Sequence, residues 1–430
     1  MTAPNQQLNT TGGRAAFIDI GRAIAALLVV YTHIDMLWMR ENYGLDSPIT
    51  SAVDTILTVP LKMEDQGIGQ LSIPFFFLVS GFVVTPIALR YGASRFGVNR
   101  LFRVYPVLTF VVLVAAAVVW LGGRPLTTGE VGQPGIGDIL ANISLVNFLL
   151  EPQSSLVGVA WTLVIEMIFY ATLLVLLPLF RRNLPLAMAI ELTAVHVVLV
   201  THDQLGDSYR LFAINVAYVT IPILGQVMWA AFTRRLPLLL ASAYGTVAWL
   251  LFVWAANLQI DEKYEPRTLP VAIAVGLFML GLFAEPHLRQ RKAWMVLSDR
   301  SYSIYLLHGT VAFPLLHLGY RHLPLWLLVI IALAATAAVV ELGYRLVERP
   351  SHQLARRLSR GRGASTAPAG RDVPQPPDPG STRAVDRTAA GGGADDRALT
   401  AAQRSRRSTP YMKVHTAGRH MPHPDPVGKD

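Results

Sequence analysis

Residues 17–39, FIDIGRAIAALLVVYTHIDMLWM, form a long apolar run whose ionisable side chains include Arg22 and His33. A helix of about 20 apolar residues spans the hydrocarbon core of a bilayer, so this run is long enough to cross a membrane. At 3.6 residues per turn, the two side chains lie within about 20° of each other and roughly 16 Å apart along the helix axis. They therefore share one face of a predicted membrane helix.

An arginine and a histidine on one face of a membrane helix support two interpretations. Ionisable groups inside a membrane are costly to desolvate and commonly mark a substrate, ion or proton path, which favours a functional site. The structural alternative pairs Arg22 with a carboxylate and His33 with a backbone carbonyl. The run also carries Asp19 and continues too far for a signal-peptide core, so we expect no cleavable signal and a retained first span.

The whole chain has the composition of a polytopic membrane protein. Of its 430 residues, 52% are hydrophobic and only 15% are charged, and the mean hydropathy is +0.41. These values predict an all-α membrane protein of about ten transmembrane helices. The predicted spans are 15–38, 73–90, 101–122, 157–180, 184–202, 211–232, 237–258, 267–285, 302–319 and 323–347. Segment 136–150 is apolar but short, which predicts a re-entrant or interfacial piece.

Charge alternates between successive predicted loops. The basic side chains are Arg90, Arg95, Arg100, Arg103, Arg181, Arg182, Arg234, Arg235, Arg289, Arg291, Lys292 and Arg300. The loops between them carry the acidic side chains Glu41, Asp46, Asp54, Glu64, Asp65, Glu130, Asp138, Asp203, Asp207, Asp261, Glu262 and Glu265. By the positive-inside rule, this pattern predicts a multi-pass protein of the cell membrane with both termini in the cytoplasm.

The predicted domain organisation has three parts: a short cytoplasmic N-terminus at 1–14, a membrane domain at 15–350 and a basic cytoplasmic tail at 351–430. The tail is rich in Arg, Pro, Gly, Ser and Ala and has almost no aromatic residues. Such a composition cannot bury a core, so we predict a disordered tail. Its basic residues suit contact with anionic membrane lipids, and the alternative is an inert extension.

Several kinds of chemistry have no support in the sequence. The chain has no cysteine, which excludes a covalent acyl-enzyme through a thiol. It also has no Walker loop, GxGxxG, HExxH or EF-hand pattern. We therefore expect no metal and no nucleic-acid partner.

Two further ionisable groups fall inside predicted spans. Glu166 lies near the middle of the fourth span, and His308 lies about two turns into the ninth, close to Tyr302 and Tyr305. A buried glutamate is either neutralised or paired, and Arg22 or His33 is the natural partner. The structural alternatives are a Glu–Arg clamp between spans and a histidine satisfied by packing. Four such groups in one bundle favour a shared site.

Two cytoplasmic motifs carry charge at the ends of spans. Arg100 and Arg103 are three residues apart and share a helix face, where guanidinium groups can clamp phosphate oxygens. The alternative is that they only anchor the helix by the positive-inside rule. At the end of the membrane part, Glu348 and Arg349 precede Pro350, which predicts a helix stop with a local ion pair.

These motifs together resemble those of the membrane-bound acyltransferase 3 family of O-acyltransferases. The resemblance covers residues 15–350. It rests on the Arg22-x10-His33 spacing, FFFLVSGF at 75–82, RLFR at 100–103 followed by Tyr105 and Pro106, Trp161 to Tyr170 with Glu166, SYSIYLLH at 301–308, and YRLVERP at 344–350. The motifs occur in the order typical of the family.

The resemblance implies a ten-helix enzyme that moves an acyl group, commonly acetyl, from acyl-CoA to a hydroxyl. The acceptor would be a sugar, glycolipid, cell-envelope glycan or related natural product. The resemblance makes Arg22 and His33 essential and gives donor binding to Arg100 and Arg103. Thr162 stands where many members have serine, which keeps the hydroxyl. We find no hydrolase-like domain after the last span, as expected of the stand-alone form.

On this basis His33 is the predicted general base, because its ordinary pKa near 6.5 suits proton transfer at neutral pH. Glu166 is predicted to orient the ring of His33 or to stabilise its imidazolium, and Arg22 to stabilise the thioester oxygen or hold a donor phosphate. His308 is a second candidate for either role. The donor is expected from the cytoplasm. The acceptor can come from either face, and the position of His33 toward the outer leaflet favours the outer one. The alternatives are a transporter or flippase of a lipid-linked or small polar substrate, and an inactive scaffold whose tail recruits partners.

Overall fold

The structure is a computed structural model that describes residues 15–41, 43–45, 47–61, 63, 67–258, 260 and 267–361. Over these residues the chain is helical, without a strand of its own, which confirms the predicted all-α fold. The helices are α1 (Ala16–Thr32), α2 (Pro48–Val53), α3 (Ser72–Tyr91), α4 (Ala93–Trp120), α5 (Ile136–Ser144), α6 (Trp161–Arg182), α7 (Leu184–Val200), α8 (Asp207–Phe232), α9 (Leu238–Asn257), α10 (Thr268–Ala284), α11 (Lys292–Gly319), α12 (Leu325–Gly343) and α13 (Arg349–Gly361). The predicted cytoplasmic N-terminus, 1–14, lies outside the described residues.

Each of the ten predicted spans coincides with a helix. Within the described residues, eight helical runs are long and apolar enough to cross a membrane, so the chain is a multi-pass membrane protein. The two other spans are α7, which has 17 residues, and α11, which has 28. α11 is less apolar than the eight because it carries His308 and His317 as well as several hydroxyl groups.

The helix α1 runs parallel to α11 through the bundle. Three pairs of contacts follow both helices in the same direction: Arg22 with Ser301, His33 with His308, and Trp38 with His317. Beyond Thr32 the helix continues as a wider π-helix, His33–Glu41, and π-helical turns are frequent at functional sites. The two histidines therefore lie where the first helix changes its winding.

The segment between α4 and α6 folds back into the bundle. Its helix α5 has nine residues, too few to cross a bilayer, in agreement with the prediction for segment 136–150. Before α5, the backbone N–H of Leu126 donates to the carbonyl oxygen of Gly309 in the middle of α11, at 3.1 Å. This contact brings residues 126–128 next to the histidine that precedes Gly309.

Two glycines bring α3 and α8 into close contact. A Cβ atom on Gly81 would lie 1.8 Å from the carbonyl oxygen of Pro222, and one on Gly225 would lie 2.2 Å from that of Leu78. Small residues that let membrane helices approach closely are typical of such interfaces. The contact fixes α3, which lines both cavities described below.

The helical part of the chain continues past the predicted end of the membrane domain at residue 350. After α12, the chain forms a π-helix, Tyr344–Glu348, and then α13, which ends at Gly361. Proline is tolerated in the first turn of a helix, because its missing N–H would have no partner there, so Pro350 does not stop the chain. The tail beyond Gly361, predicted to be disordered, lies outside the described residues.

Candidate active site

Two histidines meet where α1 passes α11. The Nδ1 atom of His33 lies 2.7 Å from the Nε2 atom of His308. The two rings are stacked, with their centroids 4.9 Å apart. His308 is fully buried, and its Nδ1 atom lies 3.1 Å from the carbonyl oxygen of Ile304, one turn earlier. The structure thus brings two of the predicted site residues into direct contact.

The hydrogen-bond network assigns the protons of this pair when both rings are neutral. A carbonyl oxygen can only accept, so Nδ1 of His308 carries a proton and donates it to Ile304. A neutral imidazole has one donor and one acceptor nitrogen, so Nε2 of His308 accepts the proton of Nδ1 of His33. The Nε2 atom of His33 is then left with a lone pair, which is the form that can accept a proton.

His33 borders a cavity of about 390 Å³, which we call the His33 cavity. Its lining includes the aromatic rings of Trp161, Tyr218 and Tyr305, and those of Trp161 and Tyr218 meet edge to face with centroids 5.3 Å apart. Its polar lining includes Thr127, Thr128, Gln153, Asn215 and Arg267. A cavity with apolar and aromatic side chains and a few convergent polar groups is typical of a small-molecule site.

A second cavity, which we call the Arg22 cavity, has a volume of about 170 Å³. Arg22 lines it and donates from Nη2 to the hydroxyl of Ser301 at 2.9 Å. Arg100 and Arg103 of α4 also line it, so three guanidinium groups from two helices face one space. The guanidinium of Arg103 lies 5.9 Å from the ring of Tyr302, a contact that desolvates and orients it. The cavity is therefore suited to a ligand with negative charge.

The two cavities share a wall made by Ile73 and Tyr305. The hydroxyl of Tyr305 donates to the carbonyl oxygen of Val159 at 3.0 Å and lies 3.1 Å from Oγ1 of Thr162. Thr162, the predicted substitute for serine, thus uses its hydroxyl to hold Tyr305. A ligand that reaches past Tyr305 from the Arg22 cavity would arrive in the His33 cavity.

Of the two predicted partners of Glu166, Arg22 lines the same cavity and His33 does not. Glu166 lines the Arg22 cavity and accepts a hydrogen bond from the hydroxyl of Tyr170, one turn later on α6. His308, and not Glu166, makes the contact that orients His33. The physical reason is axial position: Glu166 shares a cavity with Arg22, and Arg22 lies roughly 16 Å from His33 along α1.

Glu348 interacts with the arginines of the site, whereas the sequence predicted only a helix stop with a local ion pair there. Its side chain is only 2% exposed and accepts a hydrogen bond from the hydroxyl of Ser303 at 2.5 Å. Its carboxylate also interacts electrostatically with Arg103 and Arg22. The motif YRLVERP contains this residue. The sequence does not show, however, whether a carboxylate near the end of a span faces the interior of the bundle or the solvent.

Glu191 on α7 is a buried carboxylate that the sequence interpretation missed. It is 1% exposed, and its Oε2 atom accepts a hydrogen bond from Gln226 of α8 at 3.0 Å. It lines neither of the two cavities. The rule that singles out ionisable residues inside spans applies equally to Glu191, so the sequence alone does not distinguish a carboxylate that ties helices together from one that lines a cavity.

Comparison with known proteins gives a match over nearly the whole membrane part of the chain. The sequence model of a family described as an acyltransferase domain matches residues 15–344, which include all of α1 through α12. No solved structure matches the chain significantly.

Two curated relatives are similar along most of the chain. Nodulation protein 10 of Rhizobium leguminosarum bv. viciae is 28% identical over 389 residues, covering 82% of this chain and 98% of the relative. The O-acetyltransferase OatA of Staphylococcus aureus strain NCTC 8325 / PS 47 is 23% identical over 348 residues, covering 71% of this chain. The match spans 56% of the length of OatA.

Proposed function

The chain belongs to the acyltransferase 3 family, and from this membership we propose that this membrane O-acyltransferase moves an acetyl group from acetyl-CoA to a hydroxyl of a sugar, glycolipid or cell-envelope glycan. The observation that carries the proposal is the pair formed by His33 and His308. Its hydrogen bonds leave the Nε2 atom of His33 able to take a proton at the border of a cavity. The family membership favours this enzyme over the transporter that the intramembrane charges also suggest.

The Arg22 cavity is the proposed donor site. Acyl-CoA carries several phosphate groups, and arginine forks match phosphate oxygens in both geometry and charge. Arg22, Arg100 and Arg103 face this cavity, and the basic loops of the chain lie at its end of the bundle. By the positive-inside rule this is the cytoplasmic end, where acyl-CoA is made available. Both termini are then cytoplasmic.

The His33 cavity is the proposed acceptor site. Its aromatic rings offer flat apolar surfaces, and its amide and hydroxyl groups can bind the hydroxyls of a sugar. On the proposed orientation it opens toward the outer face. OatA carries the name of an O-acetyltransferase, which supports acetyl as the group that is moved.

In the proposed reaction, Nε2 of His33 takes the proton of the acceptor hydroxyl while the oxygen attacks the thioester carbonyl. The tetrahedral intermediate then collapses, the C–S bond breaks, and the protonated His33 returns the proton to the leaving thiolate. The products are the O-acetyl ester and CoA. His308 accepts the hydrogen bond from Nδ1 of His33 and holds the ring in the required tautomer.

The structure favours one of the two predicted roles of Arg22. Its guanidinium bonds Ser301 and lines the donor cavity, whereas His33 lies three helical turns further along α1. An oxyanion donor must lie about 3 Å from the reacting oxygen, which Arg22 does not reach from that position. We therefore propose that Arg22 binds the donor and does not stabilise the intermediate.

Transfer of label tests the proposed function. Purified protein in detergent is incubated with acetyl-CoA labelled in its acetyl group and with a lipid and glycan extract of the cell envelope. We expect label in the extract and an equal amount of free CoA. Free CoA without labelled extract would indicate hydrolysis only. The proposal would be contradicted, and a transporter supported, if vesicles that contain the protein moved an unacetylated substrate across their membrane without release of CoA.

Variants of His308 test its role as the positioning residue. Its replacement by leucine is expected to lower kcat by about 100-fold, because loss of the hydrogen bond lets the ring of His33 move by about 1 Å. A glutamine there is expected to retain more activity, since its amide oxygen can accept the proton of Nδ1 of His33. Steady-state kinetics on two variants with matched melting temperatures makes the comparison. Equal activity of the two would contradict the positioning role.

A further inference from the structure

The helix α13 lies at the same end of the bundle as the Arg22 cavity. The helical run from Leu325 through α13 is longer than the approximately 20 residues that cross a membrane, so its last turns reach the edge of the hydrocarbon or pass it. α13 packs along α4, which supplies Arg100 and Arg103. Ala355, 1% exposed, is buried on the packed side. α13 is therefore fixed beside the two arginines.

Several charged groups converge around His352, in the first turns of α13. Its imidazole interacts electrostatically with four guanidinium groups, those of Arg22, Arg100, Arg103 and Arg356. Two carboxylates, Glu166 and Glu348, interact electrostatically with Arg103, and Asp299 does so with Glu348. These carboxylates therefore balance part of the positive charge of the arginines that line the cavity. Arg356 adds a further positive charge from α13.

Two buried polar atoms at this place have no hydrogen-bond partner among the described residues. They are Nε2 of His352 and Nε of Arg100. Buried polar atoms in native proteins are nearly always satisfied, so an arginine N–H and an imidazole nitrogen without partners at this place point to a ligand with polar oxygens. A phosphate group offers several such oxygens and matches the guanidinium fork.

We propose that α13 forms one side of the donor site and that Arg356 and His352 bind phosphate groups of acyl-CoA. This inference rests on the proposed function. The acetyl-pantetheine arm would lie in the Arg22 cavity, past Arg100 and Arg103. The phosphates would stay at its mouth, because charge inside hydrocarbon is costly. α13 faces that mouth.

Arg357, the residue after Arg356 on α13, provides a matched control. Arg356 and Arg357 are both exposed arginines on the same helix. Arg356 lies four residues after His352, on the same helix face, whereas Arg357 lies five residues after it and faces away. The experiment compares Arg356→Gln, His352→Ala and Arg357→Gln with the wild type, after size-exclusion chromatography and thermal melting show that each is folded. The KM is measured for acetyl-CoA and for S-acetylpantetheine, which has no phosphate, in detergent without added lipid.

We expect Arg356→Gln and His352→Ala each to raise the ratio of the KM for acetyl-CoA to the KM for S-acetylpantetheine about tenfold. This is the effect expected for loss of one hydrogen bond to a charged group. Arg357→Gln is expected to leave the ratio as in the wild type. Equal ratios in Arg356→Gln and Arg357→Gln would overturn the inference. A difference that appears only after phosphatidylglycerol is added would overturn it in favour of a lipid headgroup site.

Binding of CoA separates failure of this inference from failure of the proposed function. Calorimetric titration with CoA needs no transfer reaction and reports binding of the phosphates directly. Weaker binding by Arg356→Gln than by Arg357→Gln supports the inference even if no label is transferred. Equal binding by the two, with normal transfer by the wild type, overturns the inference and leaves the proposed function intact. A wild type that binds no CoA overturns both.

Discussion

Replacement of His33 by alanine is expected to lower kcat for acetyl transfer by about 10²- to 10⁴-fold, the usual contribution of a positioned general base. The ring contributes the nitrogen that takes the proton of the acceptor hydroxyl, and no other described histidine lines the His33 cavity. Binding of acetyl-CoA is expected to persist, because the guanidinium groups proposed to hold the donor line the other cavity. Label transfer and calorimetric binding of CoA measure the two effects separately.

His317→Ala is the matched control for this variant. His317 lies nine residues after His308 on the same helix, and its Nδ1 atom is bonded by Trp38 and Tyr43. It lines neither cavity, so its loss removes a histidine and its hydrogen bonds without touching the proposed reaction. We expect the control to retain transfer activity. Full activity of His33→Ala, or an equal loss in the control, would show that His33 is not the base.

Replacement of Gly225 by alanine is expected to destabilise the fold strongly. The new Cβ atom would overlap the carbonyl oxygen of Leu78 at 2.2 Å, and a backbone atom cannot rotate away as a side chain can. Overpacking of a core commonly costs about 1–3 kcal/mol, and occasionally more, so the upper end of this range or beyond is expected. Because α3 lines both cavities, activity should be lost together with the fold.

Thermal melting in detergent, followed by tryptophan fluorescence, measures the effect of Gly225→Ala. The control is Gly245→Ala on α9, where a Cβ atom would have no neighbour within 4 Å. Alanine in a helix interior is favoured over glycine by roughly 0.5–1 kcal/mol, so the control should melt at the same or a slightly higher temperature. A melting temperature of Gly225→Ala equal to that of the control would contradict the close approach of α3 and α8.

The membrane helices of this protein could be predicted from the sequence because each depends on a local run of apolar residues. Runs of about 20 apolar residues are sufficient to predict a membrane span, and all ten predicted spans are helices. Segment 136–150 was distinguished from the spans by its short length and its flanking glycines. The end of the membrane domain was less accessible, since Pro350 predicts a helix stop but also fits the first turn of α13.

The candidate site could be predicted only as a set of residue types. Periodicity placed Arg22 and His33 on one face, and the high cost of intramembrane charge drew attention to Glu166 and His308. The same rule gives no information about which of these four side chains contact one another. His33 and His308 are 275 positions apart in the chain, and their contact depends on the parallel packing of α1 and α11.

The sequence by itself therefore determined the class of protein, the order of its long apolar helices, and the side chains to consider, because each depends on composition or on spacing within one helix. Only the tertiary structure decided which side chains share a cavity. It separated Arg22 and Glu166 from His33, gave His33 its partner in His308, and placed Glu348 and α13 beside the arginines. The physical reason is that the rotation and depth of each helix are set by packing against other helices distant in the chain.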